Sequence, residues 1–338
     1  MLDSLEAQFA IEAVREAALL ARRIQREMVS GSLTKDDRSP VTVADFAVQA
    51  LVARRLAENF PTAALVGEEQ ADALRLEEGI TILDQITDFV RTVIPDATPE
   101  EVCGLIDRGS GDAPKTFWTL DPIDGTKGFL RREQYAIALA LIQDGKVTLG
   151  VLGCPELADG YMWGGAQPQP GGCGSLVVAI SGKGTFTQPL DIGNEKWNPS
   201  WNGLTVSARS QPATARMLRS VEKAHTNVDE IGQLAAKLGV TAPPVGMDSQ
   251  SKYAVLAAGE GDVLLRLISK LRPDYRERIW DQAAGSIVIE EAGGRITDLD
   301  GKPLDFSHGR KLEKNRGILA TNGHLHDAFL AGLLAIGA

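Results

Sequence analysis

Phe9, Ala13, Ala17, Leu20, Ile24 and Met28 recur at steps of three and four residues, which lines one face of a helix from Asp3 to Met28. Ser30-Gly31-Ser32 ends it, and a polar loop leads to Ser39-Pro40. A second helical pattern starts near Asp45 and stops at Asn59-Phe60-Pro61. The run Ala63-Ala64-Leu65-Val66, bounded by Pro61 and Gly67, reads as a buried strand with Glu68 and Glu69 just past its end. Residues 71–115 form an acidic, mostly helical excursion that includes Ile80 to Val93, with Pro95 and Pro99 breaking it afterwards.

Strand patterns then dominate. Thr116 to Leu120, Tyr135 to Ile142 and Lys146 to Leu152 are apolar runs, the last two joined by Asp144-Gly145, a strong hairpin pair. Gly160 to Gly174 is rich in Gly, Pro and Gln and reads as a surface loop; Leu176 to Ile180 and Gly184 to Thr187 are further strands. The stretch Asp191 to Asn202, with Trp197, Pro199 and Trp201, falls where a domain boundary is expected. Residues 1–195 then form an N-terminal α+β domain and 196–338 a C-terminal α/β domain. In the second half, strand patterns at Leu204–Ser207, Ala254–Ala258 and Val263–Leu267 alternate with helices from about Asn227 to Leu238 and Trp280 to Ala292.

Composition narrows the functional classes. With 35 Lys and Arg against 45 Asp and Glu the net charge is −10, the wrong sign for gripping a nucleic-acid backbone. The longest apolar run of the interior, Tyr135 to Ile142, is far short of the ~20 residues that cross a bilayer, so no membrane span is expected. Asp3, Glu6, Glu12 and Glu16 crowd the start, which suits neither a secretory signal nor an acid-poor transit peptide. Cytoplasmic placement is the default expectation, with an organellar form after removal of a transit peptide as the alternative. Cys103, Cys154 and Cys173 match no zinc or redox spacing and read as reduced thiols, Cys154 and Cys173 being able to pair only if the fold joins them.

The chemistry lies in carboxylates at element ends. Asp121-Pro122-Ile123-Asp124-Gly125-Thr126 follows the strand ending at Leu120, so a turn there aims two acids at one point. Pro122 fixes its own φ, Gly125 permits an unusual one, and a helix starting near Thr126 presents free N–H groups to a phosphate. Glu68-Glu69 ends another strand, and Asp281 follows Trp280 at the start of the late helix. Singly, an Asp-Pro or Asp-Gly pair marks a turn and Glu-Glu a solvated surface. Several acids at one site repel one another and raise their pKa values unless a divalent cation neutralises them, and an all-oxygen ligand set suits Mg²⁺.

The ordered string of these motifs resembles the inositol monophosphatase superfamily, with Asp-Pro-Ile-Asp-Gly-Thr (121–126) and Trp-Asp-Gln-Ala-Ala-Gly (280–285) as its two signatures. Ser39-Pro40-Val41-Thr42-Val43-Ala44-Asp45, Val66-Gly67-Glu68-Glu69, Lys127-Gly128-Phe129-Leu130-Arg131, Lys223-Ala224-His225, Asp248-Ser249-Gln250-Ser251-Lys252-Tyr253 and Gly301-Lys302-Pro303-Leu304-Asp305-Phe306 look like its 3′(2′),5′-bisphosphate nucleotidase branch. The resemblance runs from residue 5 to residue 330. It implies a two-domain αβαβα sandwich, of α+β or α/β class, with a metal cluster at the domain junction. It further implies a Mg²⁺-dependent, Li⁺-sensitive phosphatase with two or three ions per site. The substrate is then a small nucleotide, 3′-phosphoadenosine 5′-phosphate (PAP), converted to AMP and phosphate, with the 5′-phosphosulfate analogue (PAPS) as a second substrate.

By the same resemblance, Glu68, Asp121 and the Ile123 carbonyl hold one ion, and Asp121, Asp124 and Asp281 a second. Thr126 and Asp45 draw the proton from the attacking water, and the N–H groups of Gly125 and Thr126 take the scissile phosphate. His225 and Asp248 lie near the base, and Ser249, Lys252 and Arg266 near the 5′-phosphate. Trp280 is expected to pack and fix the Asp281 turn. Two alternatives share the motifs: a phosphatase of inositol 1,4-bisphosphate or a monophosphate, and an idle nucleotide-binding sensor.

Overall fold

The computed structural model describes residues 2–29, 39–157, 172–193, 200–221, 228–268 and 272–337, and at 39–41 and 228–229 the backbone alone. Helix α1 (Leu5–Met28) buries the expected stripe of Phe9, Ala13, Ala17, Leu20 and Ile24, and the Ser4 side chain caps its start by accepting from the Ala7 N–H at 3.2 Å. Helix α2 spans Ser39–Asn59 and so begins earlier than its apolar pattern predicts. Pro40 sits in its first turn, where a missing N–H costs nothing, and Asp45 stands inside the helix rather than at its start. Strand β1 (Ala64–Gly67) follows, then α3 (Ile80–Arg91) and α4 (Pro99–Asp107). Pro99 opens α4 instead of breaking a helix, because Thr98 caps it by accepting from the Glu101 N–H at 3.2 Å.

The first sheet contains β1, β2 (Thr116–Asp124), β3 (Ala136–Gln143), β4 (Lys146–Cys154), β5 (Ser175–Ile180), β6 (Gly184–Pro189) and β7 (Asn202–Leu204), in that order. Only the β1–β2 pair is parallel. Asp144 and Gly145 join β3 to β4 with φ of 49° and 76°, the left-handed pair that a two-residue hairpin needs. Because β7 pairs with β6, this sheet continues past residue 195. Helix α5 (Thr126–Arg131) lies between β2 and β3.

The second sheet has the order β11 (Arg295–Thr297), β12 (Ile318–Thr321), β10 (Val263–Arg266), β8 (Met217–Arg219), β9 (Val245–Gly246). Around it lie α6 (Val228–Leu238), α7 (Ser251–Ala257), α8 (Ala283–Glu291) and α9 (His326–Ile336). The strand expected at Ala254–Ala258 is instead part of α7, buried throughout. Periodicity does not separate a short, fully buried helix from a buried strand.

Alternation along β3 sorts its side chains between two cores. Ile137, Leu139 and Leu141 join the cluster formed with α1 and α2, whereas Ala136, Ala138, Ala140 and Ile142 join the one formed with α7 and α8. In the second sheet Leu264, Ile318 and Ala320 face that same central cluster, while Val263, Leu265 and Leu319 pack with Leu234, Phe329 and Leu333 of α6 and α9. The layers are therefore helices, sheet, helices, sheet, helices, the expected αβαβα arrangement. Both faces of each sheet are covered, which is why the strands read as continuous apolar runs. The thiols of Cys103, Cys154 and Cys173 are free, and burial pushes Cys154 up to about 12. No helix among the described residues is long and apolar enough to cross a membrane.

Helix α8 lies so close to β4 that a Cβ on Gly150 would stand 2.5 Å from Ile287 Cγ2 and 2.9 Å from the Ala284 carbonyl oxygen. Gly150→Ala is expected to destabilise the fold by about 1–3 kcal/mol through overpacking. Gly203→Ala, whose Cβ would meet nothing within 4 Å, is expected to change stability by less than about 0.5 kcal/mol. Urea midpoints of the two variants test the pair.

Candidate active site

The strand expected to stop at Leu120 continues as β2 to Asp124, but irregularly. Asp121 pairs with Ala138 and Asp124 with Ala136, so three steps on β2 match two on β3. This is a bulge, placed where Pro122 has no N–H to give the ladder. In a regular strand residues three apart face opposite sides. The extra residue turns Asp121 and Asp124 to the same side, that of Ala136 and Ala138, which face the α7/α8 layer. Ile123 is buried within the bulge. Gly125 follows with φ of 90° as the cap of α5, and Thr126 is exposed in its first turn.

Gln49 sets the acids of β1 against α2. One turn after Asp45 and fully buried, it donates to the carbonyls of Glu69 (2.8 Å) and Ile106 (2.7 Å), and its Oε1 accepts from the Glu69 N–H at 3.0 Å. Gly67 and Gly109 make room for it, since a Cβ on either would come within 2.4 or 2.5 Å of its amide. Asp45 is thereby held beside Glu69 and Glu68. Burial first, and then those two charges, push its carboxyl well above the usual range. No hydrogen bond joins Asp45 to Thr126 among those of the described residues.

Asp121 is the hub. It is 3% exposed, and burial together with the charges of Glu68, Asp124, Asp281 and Asp45 raises it far above an ordinary carboxyl. Lost hydration and the charges of Glu69 and Asp124 raise Glu68 to about 7; because this side chain reaches solvent, lost hydration weighs less there than at Asp121. Burial also raises Asp124 and Asp281, opposed at Asp124 by Lys252, Arg266 and a hydrogen bond from Gln250, and at Asp281 by Arg266. The five predicted acids thus lie within range of one another's charge.

Residues 248–252 come against this cluster from the second half of the chain. Ser249 has φ of 66°, and a Cβ on Gly125 would lie 2.8 Å from its own Cβ. Lys252 Nζ donates to the carbonyls of Met247 (3.1 Å) and Ser249 (2.8 Å), and burial, despite the pull of Asp124, brings it down to about 8. Arg266 pairs with Glu277 at 2.9 Å, and its buried Nε has no partner. Asp248 pairs with Arg131 of α5 and accepts from the Val221 N–H at 3.3 Å. His225 lies outside the described residues.

Trp280 packs as expected, 4% exposed, with the guanidinium groups of Arg310 and Arg278 at 4.9 and 5.6 Å from the centroid of its ring. Arg310 also donates to the carbonyls of Gly67 and, at 3.1 Å, Gly109. It therefore ties the residue before Glu68 to the residue before Asp281. Nothing in the local sequence around Arg310 signals this, nor the similar bridging by Gln250.

The chain matches the model of the inositol monophosphatase family over residues 3–336. It belongs to that family. Relatives include the 3′(2′),5′-bisphosphate nucleotidases of Schizosaccharomyces pombe, 39% identical over 98% of this chain and 95% of that protein, and of Oryza sativa, 43% identical over 94% and 90%. Among solved structures, the Thermotoga maritima IMPase superposes with a TM-score of 0.62 at 20% identity, each chain covered to 98%. CysQ from Bacteroides thetaiotaomicron, a bacterial member of the family, gives 0.61 at 18% identity, with 94% of this chain and 97% of that one covered. These structural likenesses bear on the fold, and the family is metal-dependent, typically on Mg²⁺.

The residues fit such an ion in their chemistry. The buried Oδ1 of Asp121 has no hydrogen-bond partner, and the acids around it offer only oxygen, as a hard cation requires. As placed, no three His, Cys, Asp or Glu side chains among the described residues close around one point.

Raised acids carry a definite pH signature. Each holds a proton in the folded chain at pH values where the unfolded chain, with carboxyl values of about 4, has lost it. Their contribution is full below the unfolded values and fades as pH rises through the folded ones, about 7 for Glu68. Chelator-treated protein is expected to melt lower at about pH 8 than at about pH 5, with Mg²⁺ restoring more at the higher pH. Thermal unfolding with and without the ion tests this.

Proposed function

We propose that this chain removes the 3′-phosphate of PAP, giving AMP and inorganic phosphate, and acts also on PAPS. The observation that carries the reading is the identity of 39–43%, over at least 94% of the chain, to proteins named 3′(2′),5′-bisphosphate nucleotidase. The gathering of acids around Asp121 supports it.

Glu68, Asp121 and the Ile123 carbonyl would hold one Mg²⁺, and Asp121, Asp124 and Asp281 another, with two or three ions per site. Bound there, the ions supply a lowered pKa for water and positive charge for the phosphoryl oxygens. Thr126 Oγ and the Asp45 carboxylate would take up the proton released on attack, Asp45 lying within range of Glu68, a ligand of the first ion. The N–H groups of Gly125 and Thr126, at a helix start where intrahelical partners are lacking, would receive the oxygens of the scissile phosphate.

Ser249, Lys252 and Arg266 would face the 5′-phosphate. Two of the three Lys252 donors are engaged with carbonyls, and Arg266 keeps a buried Nε–H without a partner, so both retain hydrogen-bonding capacity for an anion. His225 and Asp248 would border the base. The free thiols fit a reducing compartment, the cytoplasm by default or an organelle as the alternative. We draw the domain line between Leu204, the end of the first sheet, and Met217, the start of the second.

Phosphate release from PAP, with AMP and inositol 1,4-bisphosphate alongside and Mg²⁺ exchanged for EDTA, tests the reading. The expected result is Mg²⁺-dependent release from PAP and none from AMP. A preference in kcat/KM for the inositol substrate overturns the nucleotide assignment. Asp121→Asn is expected to reduce release to background, and undiminished turnover in that variant overturns the metal assignment.

A further inference from the structure

We infer that Gln250 is a positioning residue that fixes the separation of Asp124 and Asp281, and with it the shape of the site those acids offer a divalent cation. The inference rests on the metal-dependent reading above and adds a residue to it. Gln250 is 2% exposed and uses three polar groups. Its backbone N–H donates to Asp124 Oδ2 at 2.5 Å, its side-chain Nε2 donates to the Trp280 carbonyl at 2.9 Å, and its Oε1 accepts from the Gly285 N–H at 3.0 Å.

Trp280 and Gly285 bracket the turn that carries Asp281 into α8. The N–H groups in the first turn of a helix have no intrahelical partner, and Gln282, the residue before α8, makes no side-chain capping bond. Gln250 supplies that cap from a different segment. One planar amide therefore grips both sides of the Asp281 turn while its own peptide holds Asp124. Glutamine suits the place because the amide is donor and acceptor at once and carries no charge. A carboxylate there would lose the donor and add to the repulsion among the acids.

Gly285 and Tyr253 complete the setting. A Cβ on Gly285 would stand 2.2 Å from the Tyr253 ring, and the Tyr253 hydroxyl donates to Gln282 Oε1 at 2.5 Å. The turn is thus packed on one side and held by Gln250 on the other, so removing the amide frees Asp281 without emptying the core.

The experiment is Mn²⁺ binding by calorimetry to the full chain without substrate, with thermal unfolding in parallel. Gln250→Met keeps the length of the side chain and removes both of its hydrogen bonds. It is expected to weaken Mn²⁺ binding about 10- to 100-fold, with KM for PAP at saturating metal unchanged. In an Asp281→Asn background the same change is expected to add nothing, because both act through one carboxylate. A folded Gln250→Met that binds Mn²⁺ like the wild type, or whose loss adds in full to that of Asp281→Asn, overturns the proposal. Should that variant fail to fold, Gln250→Asn, a methylene too short to reach both partners, decides, and unchanged Mn²⁺ binding again overturns it. A wild type that binds Mn²⁺ but leaves PAP intact removes the substrate reading alone, whereas one that binds no Mn²⁺ removes the metal reading and this inference together.

Discussion

Mutual repulsion among Asp45, Glu68, Asp121, Asp124 and Asp281 is the constraint around which the surrounding structure is built. Buried like charges drift apart or take up protons unless the backbone that carries them is fixed. The fixing is done largely by groups that leave the acids unneutralised. Gln49 and Gln250 are amides, and Arg310 spends its hydrogen bonds on the carbonyls of Gly67 and Gly109 rather than on a carboxylate. Asp121, at the centre, keeps an oxygen with no partner. An arginine paired directly to Asp121 would hold the fold as well but would cancel the charge that a divalent cation needs.

The layered fold places this constraint where both halves of the chain reach it. Asp121 and Asp124 lie on the face of the first sheet turned towards α7 and α8, and the second sheet packs on the other side of that layer. Residues 248–252 and the Asp281 turn therefore arrive from the same middle layer. Small residues allow the approach. Ala136, Ala138 and Ala140 face that layer on β3, and Gly150 admits Ile287 of α8 on β4. Larger side chains on these strands would hold α7 and α8 away, and the acids of the two halves would lose contact with one another's charge.

Much of this was legible in the sequence, for physical reasons that differ by element. The hairpin at Asp144-Gly145 and the apolar runs of β3 and β4 are local signals, and the structure follows them. The bulge in β2 was not legible, because Asp, Pro and Asp are poor strand formers and their run resembles a loop until β3 is present to pair with it. Pro99 opens α4 where its sequence position suggests a break, because a proline ends one helix or begins another depending on its neighbour, here the capping Thr98. The short strands β8, β9 and β11 contain too few residues to show a period of two. Asp121, Asp124 and Asp281 stood out as acids at element ends, but Gln49, Gln250 and Arg310 act through contacts remote in sequence, so no local pattern marks them.

The cations beside the acid cluster follow a related logic. Lys252 is buried and Arg266 partly buried, and both are already bonded, Lys252 to the carbonyls of Met247 and Ser249 and Arg266 to Glu277. Such groups are poor flexible arms but good fixed charges. Side-chain entropy is already lost on folding, so a phosphate bound at Ser249, as proposed, would meet positive charge that needs little reorganisation. Lys252 and Arg266 at Asp124, and Arg266 at Asp281, also temper the repulsion inside the acid cluster without neutralising Asp121. The same two side chains thus temper the acids and, in the function proposed above, would also meet a second phosphate. On the proposed reading, this would link a preference for a doubly phosphorylated substrate to the stability of the acid cluster.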